Sequence, residues 1–201
     1  IIATGASKIQ EVIEAIDILS QYNIEICLMQ CNTNYTVDVE NFKYINLNVL
    51  KTYKTMFPNV KLGLSDHTPG DITVLGAVSL GAKMIEKHFT DDNNRKGPDH
   101  PFSMNPKSWE EMVDRTRILE LSLGSSIKGV ENNEIETVVL QRRSIRVNKN
   151  LPKGHIIVND DLIEVRPCPK DAISPSENII GKKLKIDLNK NDYFKYEYIK
   201  G

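Results

Sequence analysis

The chain is poor in cysteine, has no long apolar run and carries almost no net charge. Its three cysteines, Cys27, Cys31 and Cys168, are odd in number and lack metal-knuckle spacing. Neither a disulfide framework nor a thiolate metal site is expected, and the thiols read as reduced in a cytoplasmic protein. The longest apolar stretch, Ile72 to Ala82, is interrupted by Thr73 and Ser79 and bracketed by Asp71 and Lys83. It falls well short of the roughly 20 residues that a membrane span needs. No basic leader precedes an apolar segment, so no export signal is expected. The glycine patterns that cradle nucleotide phosphates are absent as well.

With 26 basic against 27 acidic side chains, 201 residues and a 40% hydrophobic fraction, the composition is that of an ordinary globular protein rather than a disordered one. The balance hides an asymmetry: residues 140–201 carry 13 basic and 8 acidic groups, a surplus of five positive charges. Tyr193, Tyr196 and Tyr198 lie among those lysines, but no nucleic-acid motif accompanies them, and the charge reads as a solvated face. The chain opens Ile1-Ile2-Ala3-Thr4-Gly5, which has the texture of a strand already under way, so a fragment of a longer protein is expected.

Over residues 1–122, strand-like runs alternate with helical periodicity. Runs at 1–4, 24–30, 60–64 and 83–89 each precede a segment with helical spacing, the first capped by Ser7 and the last begun by Asn105-Pro106. The second helix is expected from Tyr44 to Met56. Four βα units with short connections predict a parallel sheet, either an open doubly wound sheet or part of a (β/α)8 barrel. A complete barrel takes about 250 residues, so half a barrel is the better fit. Residues 123–139 read as a polar, acidic linker. Residues 140–201 read as a small loop-rich β module.

Two histidines, His67 and His88, stand just past predicted strands of consecutive βα units. In a parallel sheet those positions share the C-terminal rim, where α/β proteins place their sites. Two imidazoles there can share one divalent ion, with Asp66 and Glu86 as candidate partners orienting the rings. Two unrelated loop histidines would give the same spacing. The loop 93–100 adds Arg95, Lys96 and Asp99, suited to anions and hydroxyls, and the loop after Cys31 adds Asn32, Thr33, Asn34 and Tyr35. Cys31 has no cationic neighbour to make it a nucleophile. His100 has no evident partner, and His155 falls in a turn and is expected to be inert.

Gly63-Leu-Ser-Asp-His-Thr68, Ile85-Glu-Lys-His-Phe-Thr90 and Gly97-Pro-Asp-His-Pro-Phe-Ser-Met-Asn-Pro106 together resemble the N-acetylneuraminate (sialic acid) synthase family. Arg143 to Ile199 resembles the antifreeze-like SAF domain that follows the barrel in that family. The resemblance implies the C-terminal half of a TIM barrel, a linker and a SAF domain. It further implies a transferase that condenses phosphoenolpyruvate with N-acetylmannosamine or a related N-acetylated amino sugar, releasing phosphate. His67 and His88 inherit the role of metal ligands and catalytic residues, with Mn2+ foremost and Mg2+ or Co2+ as alternatives. Ser65 matches a phosphoenolpyruvate-contacting serine, while Tyr35, Asp99, Thr33 and Asn34 match the substrate-contacting region. Arg166, before Pro167, matches a SAF arginine that reaches the sugar of the partner barrel in a homodimer.

Two departures stand out: Ala3 replaces a frequent serine, and Asn32-Thr33-Asn34-Tyr35 replaces Thr-Asn-x-Tyr. Alternatives are a synthase for a related nonulosonic or spore-coat sugar, or a non-catalytic carbohydrate-binding scaffold. Neither nucleic acid nor membrane is expected as a partner. Because the phosphoenolpyruvate-holding lysines of the family lie outside these residues, the 201-residue chain alone is expected to show no turnover; steady-state phosphate release by it would overturn that expectation.

Overall fold

A computed structural model describes residues 1–35 and 37–200. The chain forms two compact units, Ile1–Ser125 and Ser126–Gly201. No helix among the described residues is long and apolar enough to cross a membrane.

The first unit is built on four parallel strands in the order β1 (Ile2–Ala3), β2 (Cys27–Cys31), β3 (Lys61–Asp66) and β4 (Met84–Lys87). Helices α1 (Ile9–Leu19), α2 (Val49–Met56), α3 (Ile72–Ser79) and α4 (Pro106–Leu123) follow the strands in turn. Strand side chains alternate between faces, and the pattern sorts them cleanly. Leu28, Leu62 and Leu64 pack with Val12 and Ile16 of α1, Leu50 and Tyr53 of α2 and Ala77 of α3 in one buried cluster. Ile85 of β4 packs against it. Val74 and Val78 of α3 join Met112 of α4 in a second cluster. Helices thus cover one face of a sheet whose strands follow sequence order. A doubly wound sheet reverses its order to cover both faces, so the arrangement is that of a partial TIM barrel.

The other face carries Met29, Gly63 and Met84 in one row, and Cys31, Ser65 and Glu86 in the next. Gly63 is required there by crowding: a Cβ would lie 2.8 Å from Met29 Cγ and 2.9 Å from the Met84 carbonyl oxygen.

Several local expectations shift. Ser7 does not cap α1; its hydroxyl turns back to the Gly5 carbonyl, and Lys8 takes the cap position with its N–H donating to Glu11 at 2.6 Å. The helix expected from Tyr44 begins only at Val49, because Asn46 adopts φ +51°, and a 3-10 turn at Val39–Tyr44 precedes it. β2 starts three residues late, at Cys27, where pairing with Lys61 of β3 begins, and it runs through Cys31. At the start of α4, Asn105 and Ser108 exchange two hydrogen bonds of 2.9 Å, with Pro106 in the first turn.

The second unit contains α5 (Ile135–Gln141), the antiparallel pair β5 (Ser144–Val147) and β6 (Leu162–Val165), and the short pair β7 (Lys183–Leu184) and β8 (Ile199–Lys200). Its core gathers Ile145, Val147, Leu151, Ile157, Ile173, Ile179, Leu184, Leu188, Phe194 and Ile199. Regular structure is sparse, so a side-chain knot assists this core. Asp161 is fully buried; its Oδ2 accepts from the Val158 N–H at 2.9 Å and lies 2.7 Å from His155 Nε2. Lys149 Nζ approaches Oδ1 at 2.9 Å as an ion pair without hydrogen-bond alignment. His155 is therefore a structural residue, not an inert one.

Burial by itself would raise the Asp161 carboxyl, but the Val158 N–H, His155 and Lys149 outweigh it and hold it at about 2. The unfolded carboxyl titrates near 3.8, so the stabilisation is complete above that pH and disappears as pH falls through about 2. Asp161→Asn is expected to cost about 2 kcal/mol, read as a lowered melting midpoint at neutral pH. The gap between variant and parent should close in strong acid.

Candidate active site

β3 and β4 pair in register, with Ser65 opposite Glu86 and Asp66 opposite Lys87. The next residue of each strand is a histidine, on the same face as Ser65 and Glu86. The two rings meet with centroids 5.1 Å apart at 69°. His67 is buried and His88 half-buried. His67 Nδ1 lies 2.7 Å from the Asn32 carbonyl oxygen, at the end of β2. A carbonyl only accepts, so Nδ1 carries the proton and Nε2 keeps its lone pair. His88 Nδ1 faces the Asp99 carboxylate at 3.5 Å.

Two aromatic rings frame the pair. Tyr35 stands edge-on to His67 at 4.3 Å and tilted to His88 at 5.5 Å. Phe102, buried, lies 5.1 Å from His88 and stacks on Tyr35 at 6.1 Å. The loop that delivers Asp99 and Phe102 is fastened at its base, where Met104 N–H donates to the His88 carbonyl and Thr90 N–H to the Met104 carbonyl. Within it, Asn93 donates to the carbonyls of His100 and Ser103 at 2.9 and 2.8 Å, and Thr90 Oγ1 meets His100 Nδ1 at 2.8 Å. His100 thus has a partner and serves the loop.

Asp66 and Glu86 do not orient the histidines. Adjacent residues of a strand point to opposite faces, which turns Asp66 away from His67, toward Lys87, Thr68 and Thr73. Glu86 accepts from Ser65 Oγ at 2.7 Å. The Asn32 carbonyl, brought in by the loop after β2, orients His67, and Asp99 stands beside His88.

Ser65 is buried two residues before His67 and on its face. Thr33 packs its methyl on Gly5, where a Cβ would collide with it. Asn34 donates to Asn41 Oδ1 at 3.1 Å, bracing the loop that presents Tyr35. Arg166 lies in the second unit, exposed, just after β6. Burial raises the Cys31 thiol, which suits a packing residue rather than a nucleophile.

Among the described residues no three histidine, cysteine or acidic side chains converge as a metal cage. Two imidazoles on one rim can bind a cation whose remaining positions belong to water or substrate, the open arrangement catalytic ions require.

A family model for the NeuB family matches residues 1–128, and a SAF domain model matches residues 142–199. The chain belongs to the NeuB family. It is 37% identical over 99% of its length to the N,N'-diacetyllegionaminic acid synthase of Legionella pneumophila, of which it covers 56%. It is 28% identical to the human N-acetylneuraminate-9-phosphate synthase over 99% of its length, covering 55% of that protein. NeuB relatives are therefore synthases of nonulosonic acids, and the chain spans a little over half their length. The crystal structure of a spore coat polysaccharide biosynthesis protein E from Chromobacterium violaceum shares the fold, with TM-score 0.70 and 16% identity over 99% of this chain and 60% of that one.

Burial pushes the His67 imidazole below its ordinary value of 6.5; the Asn32 carbonyl opposes this and the neighbouring His88 adds to it. In this NeuB chain, an NMR titration of the histidine ring signals should show His67 remaining neutral to a lower pH than free histidine. A midpoint at or above 6.5 would contradict the geometry.

Proposed function

We propose that this chain forms the metal- and sugar-handling part of a phosphoenolpyruvate-dependent nonulosonic acid synthase. The observation that carries the reading is the His67–His88 pair, 5.1 Å apart between ring centroids on consecutive strands of one rim. Family membership and the names of the relatives support it.

His67 and His88 would hold the cation, with Mn2+ foremost and Mg2+ or Co2+ as alternatives. Bound there, the ion supplies Lewis-acid polarisation of the sugar aldehyde. C3 of phosphoenolpyruvate bonds to the aldehyde carbon of N-acetylmannosamine or a related N-acetylated amino sugar. Water adds at C2, and the C2–O bond to phosphate breaks, leaving a nine-carbon 2-keto acid and inorganic phosphate. Ser65 contacts phosphoenolpyruvate from the same face. Tyr35, Thr33, Asn34 and Asp99 contact the sugar, whose hydroxyls suit amide, phenol and carboxylate partners. In a homodimer, Arg166 of the SAF domain approaches the N-acetyl group of the sugar bound by the partner, and the positive surplus of that domain suits an anionic substrate.

The test is a discontinuous assay of a protein that carries these residues together with the remaining barrel strands, given phosphoenolpyruvate and a panel of N-acetylated hexosamines and reading phosphate and the keto acid by mass spectrometry. Chelation should abolish turnover and Mn2+ restore it. His67→Ala and His88→Ala should each lose about a hundredfold or more in kcat/KM. Undiminished turnover after exhaustive chelation would reject the metal role, and absence of product with every sugar would reject the synthase reading.

A further inference from the structure

Behind the histidine pair, on the helix-covered face of the sheet, lies a buried ion pair. Lys87 Nζ sits 2.7 Å from Asp66 Oδ2, with 1% and 0% of their side chains exposed. Lys87 Nζ also donates to the Thr68 carbonyl at 2.7 Å. Asp66 is further saturated by Thr73 Oγ1 at 2.5 Å on Oδ2 and by the Thr68 N–H and hydroxyl at 3.2 and 3.0 Å on Oδ1.

A buried pair of this kind is a poor source of stability. Desolvating both charges offsets their attraction, and well-packed apolar replacements are commonly neutral or stabilising. Its location suggests another use. Asp66 and Lys87 form the last paired position of the β3–β4 ladder, and the next residue on each strand is His67 or His88. Beyond that point no ladder bond holds the two strands at a common height. One ammonium, from the residue just before His88, grips the groups on both sides of His67, the Asp66 carboxylate and the Thr68 carbonyl.

We propose that Asp66 and Lys87 are positioning residues which fix the separation of the two imidazoles, and through it their grip on a divalent cation. The part of this that concerns the cation rests on the synthase reading; the part that concerns the ring separation does not. Thr73, anchored on α3, supports the pair from the helix layer.

The full chain would be compared with the double variant Asp66→Leu/Lys87→Met and with Thr73→Val, which removes one neutral donor and keeps both charges. Three readouts separate the cases: thermal melting, Mn2+ affinity from the free-ion EPR signal, and the cross-ring NOE between His67 and His88 without metal. The expected result is a double variant that still folds, with a melting midpoint lowered by the Thr68 and Thr73 groups it leaves without partners. Its Mn2+ binding should be at least tenfold weaker, with the cross-ring NOE lost. Thr73→Val should shift both quantities the same way by a smaller factor. If the double variant does not fold, Thr73→Val with parental affinity and NOE overturns the proposal. Parental affinity and NOE in a folded double variant do so directly. If the parent binds no Mn2+, the metal reading fails, and the NOE series alone decides the positioning role.

Discussion

The register between β3 and β4 is the constraint on which the site depends. Parallel pairing sets Ser65 against Glu86 and Asp66 against Lys87, and the two-residue period of a strand then decides everything beyond. Odd positions of β3 and even positions of β4 look away from the helices, so the histidines that follow arrive side by side. Had β4 slipped by a single residue, His88 would have turned into the helix layer and Lys87 onto the open face. The hydrophobic cluster of Leu28, Leu62 and Leu64 with α1, α2 and α3 holds that register, because a slip would expose it.

The rim itself is assembled from three loops, each fixed by a different device. Backbone hydrogen bonds at Met104 close the loop after β4. The Asn34–Asn41 contact braces the loop after β2, and the ammonium of Lys87 clamps the turn after β3. Side chains that interact with substrate in the proposed reaction therefore stand on braced backbone, which lowers the ordering cost of binding.

The second unit follows a different economy. With four short strands and long connections, it relies on a compact apolar core and on Asp161, whose buried carboxylate ties the 3-10 turn after Val158 to His155 and Lys149. A polar knot in a loop-rich module fixes backbone where ladders are too short to do so.

Much of this was readable along the chain. Alternating periodicities gave the βα units, Asn105-Pro106 marked the start of α4, and three short motifs indicated the NeuB likeness and both histidines. The period of two already separates Asp66 from His67 and Lys87 from His88, which places Asp66 and Lys87 on the face of Leu64 and Ile85. What local pattern could not convey were contacts closed by distant loops. These are the Asn32 carbonyl on His67, Asp99 beside His88, and Phe102 against His88 and Tyr35. Sequence determined which elements form and which face each side chain takes, because those follow from local stereochemistry and burial of apolar stripes. Tertiary structure alone decided which polar groups meet, since a hydrogen bond forms only where non-local packing brings donor and acceptor within about 3 Å.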